Sequence, residues 1–257
     1  MSALLRMEAS KLLRLSSVRA SLVLLIVFPL LWSYAPGIFE VYGFFLVSGF
    51  QVPALSLLSS MEFLMPLLVA IIAAELVGLE TMHGTLPTVL LRPVTRSSWL
   101  LAKLIVLSAM PFAAMAYFLV TSLAAGVPYG FDGFVGGTGL GEGGLAGQGL
   151  MTAAAAWREI GSAYLLAAIS LVPIALLSVL ATVVTMNAAS GALATLAVLI
   201  VMQLLVVFPS LEPFLLTRHL SAYADPVAGV GWVVTLIMLY SAAFASAAVV
   251  LFERKDF

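Results

Sequence analysis

Two acidic residues and one amide lie within the apolar runs of this sequence, where polar side chains are rare. Glu62 and Glu75 fall in the second long apolar run, and Gln203 falls in the fifth. An ionisable group inside a membrane is costly unless it faces a charged partner or water, so it is a candidate for a solute pathway. The three residues are therefore predicted to line a polar path, although Glu75 lies near the end of its run and can also reach water.

A second set of polar residues is concentrated in the connection 79–103. It holds ionisable residues together with helix breakers, namely Glu80, His83, Arg92, Arg96, Lys103, Gly84, Pro87 and Pro93. Gly84 permits a sharp turn, Thr85 can cap a helix, Pro87 is tolerated in the first turn, and Pro93 cannot continue the helix. The spacing predicts a short helix over about 86–92.

This short helix carries an apolar stripe although it is too short to cross the bilayer. The stripe consists of Leu86, Val89, Leu90 and Val94. An apolar helix face outside the hydrocarbon needs a cover, which is either the lipid surface or another protein. Any turn between two spans also needs breakers and basic anchors, so the connection alone leaves a purely structural role open.

The composition identifies the setting of these residues. The chain has 257 residues, of which 63% are hydrophobic and 9% are charged. Soluble domains average about 45–50% apolar residues, so this chain is predicted to be an integral membrane protein. Cysteine is absent, which excludes disulfides and thiolate metal sites and leaves the redox compartment undetermined.

Six apolar runs are long enough to cross a bilayer as helices, a crossing that takes about 20 residues. They are predicted at 20–34, 55–77, 99–125, 160–186, 192–208 and 230–252, so the fold is predicted to be all-α. With a start near residue 55, Glu62 lies about two helical turns deep, whereas a later start leaves it in the interface. Whether the stretches 38–54 and 211–229 are re-entrant stays open.

Lysine and arginine indicate the orientation, because basic residues are retained on the cytoplasmic side. With six spans, one face holds both termini and the connections 79–98 and 187–191. Most basic residues fall on that face, at Arg6, Lys11, Arg14, Arg19, Arg92, Arg96, Lys103, Arg254 and Lys255. Both termini are therefore predicted to be cytoplasmic, and the glycine-rich loop 126–159 is predicted to be external. Arg96, Trp99 and Lys103 are predicted to anchor the third span at the interface.

Residues 1–17 are predicted to form a helix in the cytoplasmic interface. Leu4, Leu5 and Leu12 fall on one side of this helix, and Arg6 and Arg14 fall on the other. Such a pattern is typical of a helix that lies on the lipid surface. An acidic residue at position 8 interrupts the leucine side, so a solvated basic tail is the alternative.

The sequence carries no recognised motif for catalysis or cofactor binding. It has neither a GxSxG nor an HExxH motif, and its two histidines lie on opposite faces of the predicted topology. It also lacks the GxxxxGK[ST] phosphate loop, so it cannot bind ATP in the P-loop manner. The eleven methionines have no clustered metal-ligand spacing. The chain is predicted to be no enzyme by itself, to hold no cofactor or metal, and to bind no nucleic acid.

The connection 79–103 contains E-x-x-x-G-T-L at 80–86, L-L-R-P-V-T-R at 90–96, and then Lys103. This pattern resembles the signature loop of a known family, the ABC-2 type permeases. The six-span order, the basic N-terminal helix, the stretch P-x-L-x-P-F-L-L at 209–216 and the closing F-E-R-K-D-F are similar to that family too. The resemblance therefore covers essentially the whole chain, 1–257, as a single transmembrane permease domain.

The resemblance implies that the cytoplasmic loop 80–96 carries a coupling helix, which docks in a groove of a cytoplasmic ATPase. It assigns the contact to Gly84, Thr85, Leu86, Val89, Leu90, Arg92 and Pro93. Glu80 and Arg96 would hold the two ends of the loop. One departure is Pro87, where the family commonly has a polar or acidic residue.

The resemblance also implies the rest of the assembly. The chain would be one permease of an exporter in the cell membrane, driven by ATP and Mg on two copies of an ATPase subunit, with an unidentified substrate. A second permease copy or a similar permease, and membrane lipid, are further expected partners. An extracytoplasmic accessory protein stays open. The alternative function is a secondary transporter or channel that uses Glu62 and Glu75, although the sequence shows no inverted repeat of the kind many such transporters have.

Overall fold

The computed structural model describes residues 2–34, 46–82, 95–140, 144, 149–224 and 229–255. Its α-helices are α1 (Ser2–Leu12), α2 (Ser16–Tyr34), α3 (Gln51–Met61), α4 (Leu64–Met82), α5 (Arg96–Gly126), α6 (Ala153–Thr185), α7 (Ala188–Leu205) and α8 (Val230–Glu253). Short 3-10 helices cover Val127–Tyr129, Glu212–Phe214 and Leu216–Ser221. The two-residue strands β1 (Phe134–Val135) and β2 (Leu150–Met151) pair antiparallel in the glycine-rich loop.

Six of the described helices, α2 and α4 to α8, are long and apolar enough to cross a membrane. The predicted all-α fold with six spans is therefore confirmed. The helix preceding the first span ends at Leu12 rather than at residue 17, because the span itself begins at Ser16.

Polar residues cap the N-termini of three consecutive spans. The side chains of Thr95, Thr152 and Asn187 accept hydrogen bonds from backbone N–H groups in the first turns of α5, α6 and α7. Each cap satisfies a donor that the helix cannot satisfy itself, which matters more near lipid than in water. The turn between α6 and α7 is tight because Met186 adopts a left-handed conformation with φ 56°.

Successive spans run in opposite directions, so their ends collect in two layers. We call one layer the basic end; it holds α1, the last turns of α4, α6 and α8, and the first turns of α5 and α7. Thr81 donates a hydrogen bond to the carbonyl oxygen of Met186 at 3.0 Å. The ammonium of Lys255 donates to the carbonyl oxygen of Val183 at 2.7 Å, which joins the end of α8 to the end of α6.

The other layer, the opposite end, holds the last turns of α2 and α5, the loop with the two strands, and the break between α3 and α4. The Ser33 hydroxyl donates to the carbonyl oxygen of Ala125 at 2.7 Å. The N–H of Gly49 donates to the carbonyl oxygen of Gly130 at 2.8 Å, which fixes the start of α3 beside the end of α5.

The core lies around α6 and α4. In the most apolar 18-residue stretch of each span, 72% of the residues are buried in α6 and 61% in α4, but only 22% in α7 and in α8. The outer spans therefore expose broad apolar faces. The Ser178 hydroxyl of α6 donates to the carbonyl oxygen of Ala70 in α4 at 2.6 Å, so the two central helices are also joined by a buried hydrogen bond.

The inner helices cross α7 at glycines. A Cβ atom added to Gly78 of α4 would lie 2.5 Å from the backbone nitrogen of Ala188, and one added to Gly191 would lie 2.8 Å from Cα of Thr182. Contacts this close require residues without a side chain. Gly78 and Gly191 thus set the approach of α7 to α4 and α6 at the basic end.

The second span differs most from its prediction. The predicted segment 55–77 is divided between α3 and α4, and the candidate span is Leu64–Met82. The break lies at Glu62 and Phe63, and Pro66 follows in the first turn of α4. Pro66 cannot bond the carbonyl of Glu62, and its ring would clash with that carbonyl in a continuous helix. The span therefore starts after Glu62, and α3 is a separate, mostly buried helix of 11 residues.

Candidate functional site: a buried charge cluster and an open cleft

Four charged residues meet at the basic end; we call Glu8, Lys11, Glu80 and Lys103 the charge cluster. The ammonium of Lys103 lies 2.7 Å from a carboxylate oxygen of Glu8 and 3.1 Å from one of Glu80. The ammonium of Lys11 lies 2.8 Å from Glu8 and 2.7 Å from Glu80. The cluster thus connects α1, α4 and α5.

The helical spacing of the sequence places these groups. Glu8 and Lys11 are three residues apart on α1, so they share one helix face, which packs on α5. Lys103 lies about two turns into α5, where its ammonium also donates to the carbonyl oxygen of Leu76 at 2.8 Å. Leu76 and Glu80 are four residues apart on α4, and both therefore face Lys103.

Lys103 and Glu8 are fully buried, with exposed fractions of 0%. An ammonium has three N–H donors, and here each has an oxygen acceptor. Such pairing is what makes a buried charge tolerable, since an unpaired one is strongly unfavourable. The cluster holds two ammonium groups and two carboxylates, so its formal charge sums to zero.

Lys11 lies at the exposed side of the charge cluster. Burial by itself lowers the pKa of its ammonium, but hydrogen bonds and charge from Glu8 and Glu80 raise the pKa by more. The net result is a pKa above the ordinary lysine value, so Lys11 stays charged at neutral pH.

The prediction that Trp99 and Lys103 are interfacial anchors is wrong. Trp99 is also fully buried, its indole stacks on Phe252 with ring centroids 5.0 Å apart, and the ammonium of Lys103 lies 4.8 Å from the indole centre. The physical reason is that α1 and the end of α8 cover this part of α5. In the sequence this packing was indicated by Glu8, because an acidic residue on the leucine side of α1 directs its carboxylate toward the rest of the protein.

The structure describes only the two ends of the predicted coupling loop. Gly84, Thr85, Leu86, Val89, Leu90, Arg92 and Pro93 lie outside the described residues, as do His83 and Pro87. At one end, Glu80 binds Lys11 and Lys103. At the other end, Arg96 donates to the carbonyl oxygen of Lys255 at 2.8 Å. Each end of the connection is thus attached to a neighbouring segment.

The three predicted pathway residues do not lie together. Glu62 and Gln203 line a cleft of about 540 Å³ at the opposite end, between the start of α4, the end of α7 and the 3-10 helix Leu216–Ser221. Glu75 lines a smaller cavity of about 410 Å³ at the basic end, where the Ser16 hydroxyl lies 3.4 Å from its carboxylate. The separation follows from α4, which places Glu62 before its first turn and Glu75 about two turns from its last residue.

The cleft also contains polar residues that the sequence analysis did not identify, among them Thr217 and Tyr223. Thr217 is 8% exposed, and its hydroxyl oxygen has no hydrogen-bond partner among the described residues. Burial raises the pKa of the Tyr223 phenol, and the negative charge of Glu62 raises it further. Tyr223 therefore stays protonated. Neither residue belongs to a motif, so only the folded chain brings them to Glu62.

Comparison with known proteins adds the family. A search among curated proteins finds no match to this chain. A family model described as ABC-2 family transporter protein matches residues 4–180, a range that includes the charge cluster, the connection 83–94 and Glu62. Because the match covers more than half of the 257 residues, the chain belongs to the ABC-2 family of transporter proteins and is a transmembrane permease of an ATP-binding cassette transporter.

Proposed function

We propose that this permease exports its substrate across the cell membrane with energy from a separate ATPase subunit, which docks on the connection 83–94. The observation that carries the proposal is the charge cluster, because it joins the helices on both sides of that connection. Glu80 is the third-last residue of α4, and Lys103 lies near the start of α5. A displacement applied to the connection is therefore passed to both spans.

The cluster also includes α1 in this moving unit. Glu8 has no solvent exposure, and Lys103 binds it at 2.7 Å. Helix α1 therefore cannot separate from α5 without exposing these two charges to solvent or leaving one of them buried without the other. A buried pair of this kind resists separation because the remaining charge would lose its partner in a poorly solvated place. α1, α4 and α5 should thus respond together when the ATPase closes.

The distribution of basic residues supports the orientation in the proposal. Lys11, Arg96 and Lys255 lie at the basic end in the structure, and the positive-inside rule assigns such an end to the cytoplasm. Both termini and the loop 80–96 are then cytoplasmic, and the loop 126–159 is external. ATP and Mg bind the partner, since this sequence has no phosphate loop.

The family resemblance supports the remaining parts of the assembly. Two ATPase subunits and a second permease copy, identical or similar, complete the transporter, and membrane lipid surrounds α2, α7 and α8. The alternative of a secondary transporter has lost part of its support. It depends on Glu62 and Glu75 in one path, and these residues line two separate cavities, Glu62 before the start of α4 and Glu75 about two turns before its end.

The orientation can be tested with single cysteines, because the chain has none of its own. We expect an impermeant maleimide to label Val135→Cys on intact cells, and Ser2→Cys and Ser97→Cys only after permeabilisation. Val135 is 69% exposed, whereas Thr138 in the same loop is fully buried and unsuitable. Labelling of Ser97→Cys on intact cells, without labelling of Val135→Cys, would reverse the orientation and exclude an ATPase at the connection 83–94.

Docking of the ATPase can be tested by charging the apolar stripe of the connection. We expect the double variant Leu86→Asp and Leu90→Asp to insert normally but to lose most of the ATPase in co-purification, because two unpaired carboxylates would be buried in the contact. ATP turnover of the lipid-reconstituted complex should fall with it. The control is Leu13→Asp, which places one carboxylate of the same kind on a residue that is 69% exposed at the same end. Wild-type co-purification and turnover by the double variant would contradict the proposed docking.

A further inference from the structure

We propose that the cleft at the opposite end binds cationic amphiphiles, with the carboxylate of Glu62 facing the positive group and the apolar walls holding the hydrophobic body. This inference rests on the proposed function and extends it by assigning a substrate class. It is carried by the shape of the cleft, by its charge and by one buried hydroxyl without a partner.

The shape fits a molecule of moderate size. The cleft volume of about 540 Å³ lies within the range of about 300–1,000 Å³ that small-molecule sites occupy. Its walls are mostly apolar, with Met61, Leu196, Leu199 and Ile200 among the lining residues. Ile200 is 58% exposed on α7, so the apolar wall continues onto the outer surface of that helix.

The charge of the cleft favours a cation. Glu62 is exposed and is the only Asp, Glu, Lys, Arg or His among the described residues that line the cleft. Arg218, on the adjacent 3-10 helix, is paired with Glu212 at 2.8 Å and does not line the cleft. An acidic site with apolar walls attracts a positive group and leaves an anionic head group without a partner.

The neutral polar groups of the cleft suit the same ligand. The aromatic ring of Tyr223 can hold an organic cation through its π-face, an interaction typical of quaternary ammonium sites. The buried hydroxyl of Thr217 has no protein partner in the described part of the chain, and an unmade buried hydrogen bond is unfavourable. Gln203 supplies a side-chain amide, which can both donate and accept a hydrogen bond. A ligand with a polar group beside its charge would satisfy Thr217 or Gln203.

The binding test uses the purified permease alone, in nanodiscs of phosphatidylglycerol, without ATPase or ATP. The probes are a fluorescent alkyl trimethylammonium compound and its neutral isostere, in which carbon replaces the quaternary nitrogen. We expect Glu62→Gln to weaken binding of the cationic probe about fivefold, as loss of one exposed ion pair would, and to leave the isostere within about twofold. Size-exclusion profiles verify that the variant is folded.

A matched control separates the cleft from general attraction of cations. Asp132→Asn removes one exposed carboxylate at the same end of the molecule, outside the cleft, and should leave both probes unchanged. Adding phosphatidylethanolamine to the nanodiscs then distinguishes two sources of the ligand. Displacement of the cationic probe assigns the site to the amine of a lipid head group. Unchanged probe binding assigns the site to a free amphiphile.

Two results would overturn the inference. The first is equal binding of the cationic probe to wild type and Glu62→Gln, and the second is equal binding of the cation and its isostere to wild type. Because the assay contains no ATPase, neither result depends on docking at the connection 83–94. Co-purification of the ATPase with the Glu62→Gln variant, measured in parallel, keeps failure of the substrate class distinct from failure of the proposed function.

Discussion

Replacing Lys103 with methionine is expected to lower the free energy of unfolding by about 3–5 kcal/mol, the cost of removing one partner from a buried ion pair. The variant leaves the carboxylates of Glu8 and Glu80 without their deepest partner, and Glu8 has no access to water. Lys11→Met should cost far less, about 1 kcal/mol or below, because its side chain is 35% exposed. Denaturant titration in detergent micelles, followed by tryptophan fluorescence, measures both variants.

A double variant tests whether charge is the cause. Glu8→Gln combined with Lys103→Met removes one charge of each sign. The stability lost in this double variant should therefore be clearly smaller than the sum of the stabilities lost in Glu8→Gln and in Lys103→Met. Equal losses for Lys103→Met and Lys11→Met would contradict the burial argument. Additive losses in the double variant would show that packing, and not the ion pair, determines the effect.

The second large effect is expected at Gly78. Gly78→Ala adds a methyl group that would lie 2.5 Å from the backbone nitrogen of Ala188, and backbone cannot yield as a flexible side chain can. Forcing extra volume into such a contact typically costs about 1–3 kcal/mol, here by pushing α7 away from α4. A fall in the thermal midpoint of the purified permease measures the change.

Gly161→Ala is the control for this substitution. Gly161 is also a helical glycine, in α6, but a Cβ atom there meets nothing within 4 Å. Alanine should therefore stabilise α6 by about 0.5–1 kcal/mol through its better helix propensity. If Gly78→Ala is as stable as Gly161→Ala, the close crossing of α4 and α7 is not required for the fold.

The number of spans was predictable from the sequence because lipid requires long apolar helices whose backbone groups are all bonded. The start of α5 at Arg96 lies three residues before the predicted start of the span at residue 99. Thr95 is a typical N-cap residue, and its side chain accepts a hydrogen bond from the N–H of Ser98. The break at Glu62 was missed, although Pro66 signals it, because a count of hydrophobic residues treats proline as no interruption. A prediction based on hydropathy alone cannot locate the end of a helix inside an apolar run.

The candidate site was predictable in part. Glu62 was identified because an acidic residue is unusual inside an apolar run, and it lines the cleft in the structure. Glu80 was identified because it begins the loop that resembles the ABC-2 permeases, and it belongs to the charge cluster. Lys103 was misplaced, since a lysine near a span end is normally in water and only the packing of α1 buries it. Thr217 is recognisable only in three dimensions, because an unsatisfied hydroxyl is defined by its neighbours.

The ion pair between Glu8 and Lys103 has a consequence for biosynthesis. Its partners are 95 residues apart in the chain, so α1 cannot be fixed until the start of α5 has been made. At a synthesis rate of about 5–20 residues per second, Glu8 waits roughly 5–20 seconds for its partner. During that interval the carboxylate must remain in water or among lipid head groups. Helix α1 therefore cannot join the bundle before α2 and α4 have been made and α5 has begun.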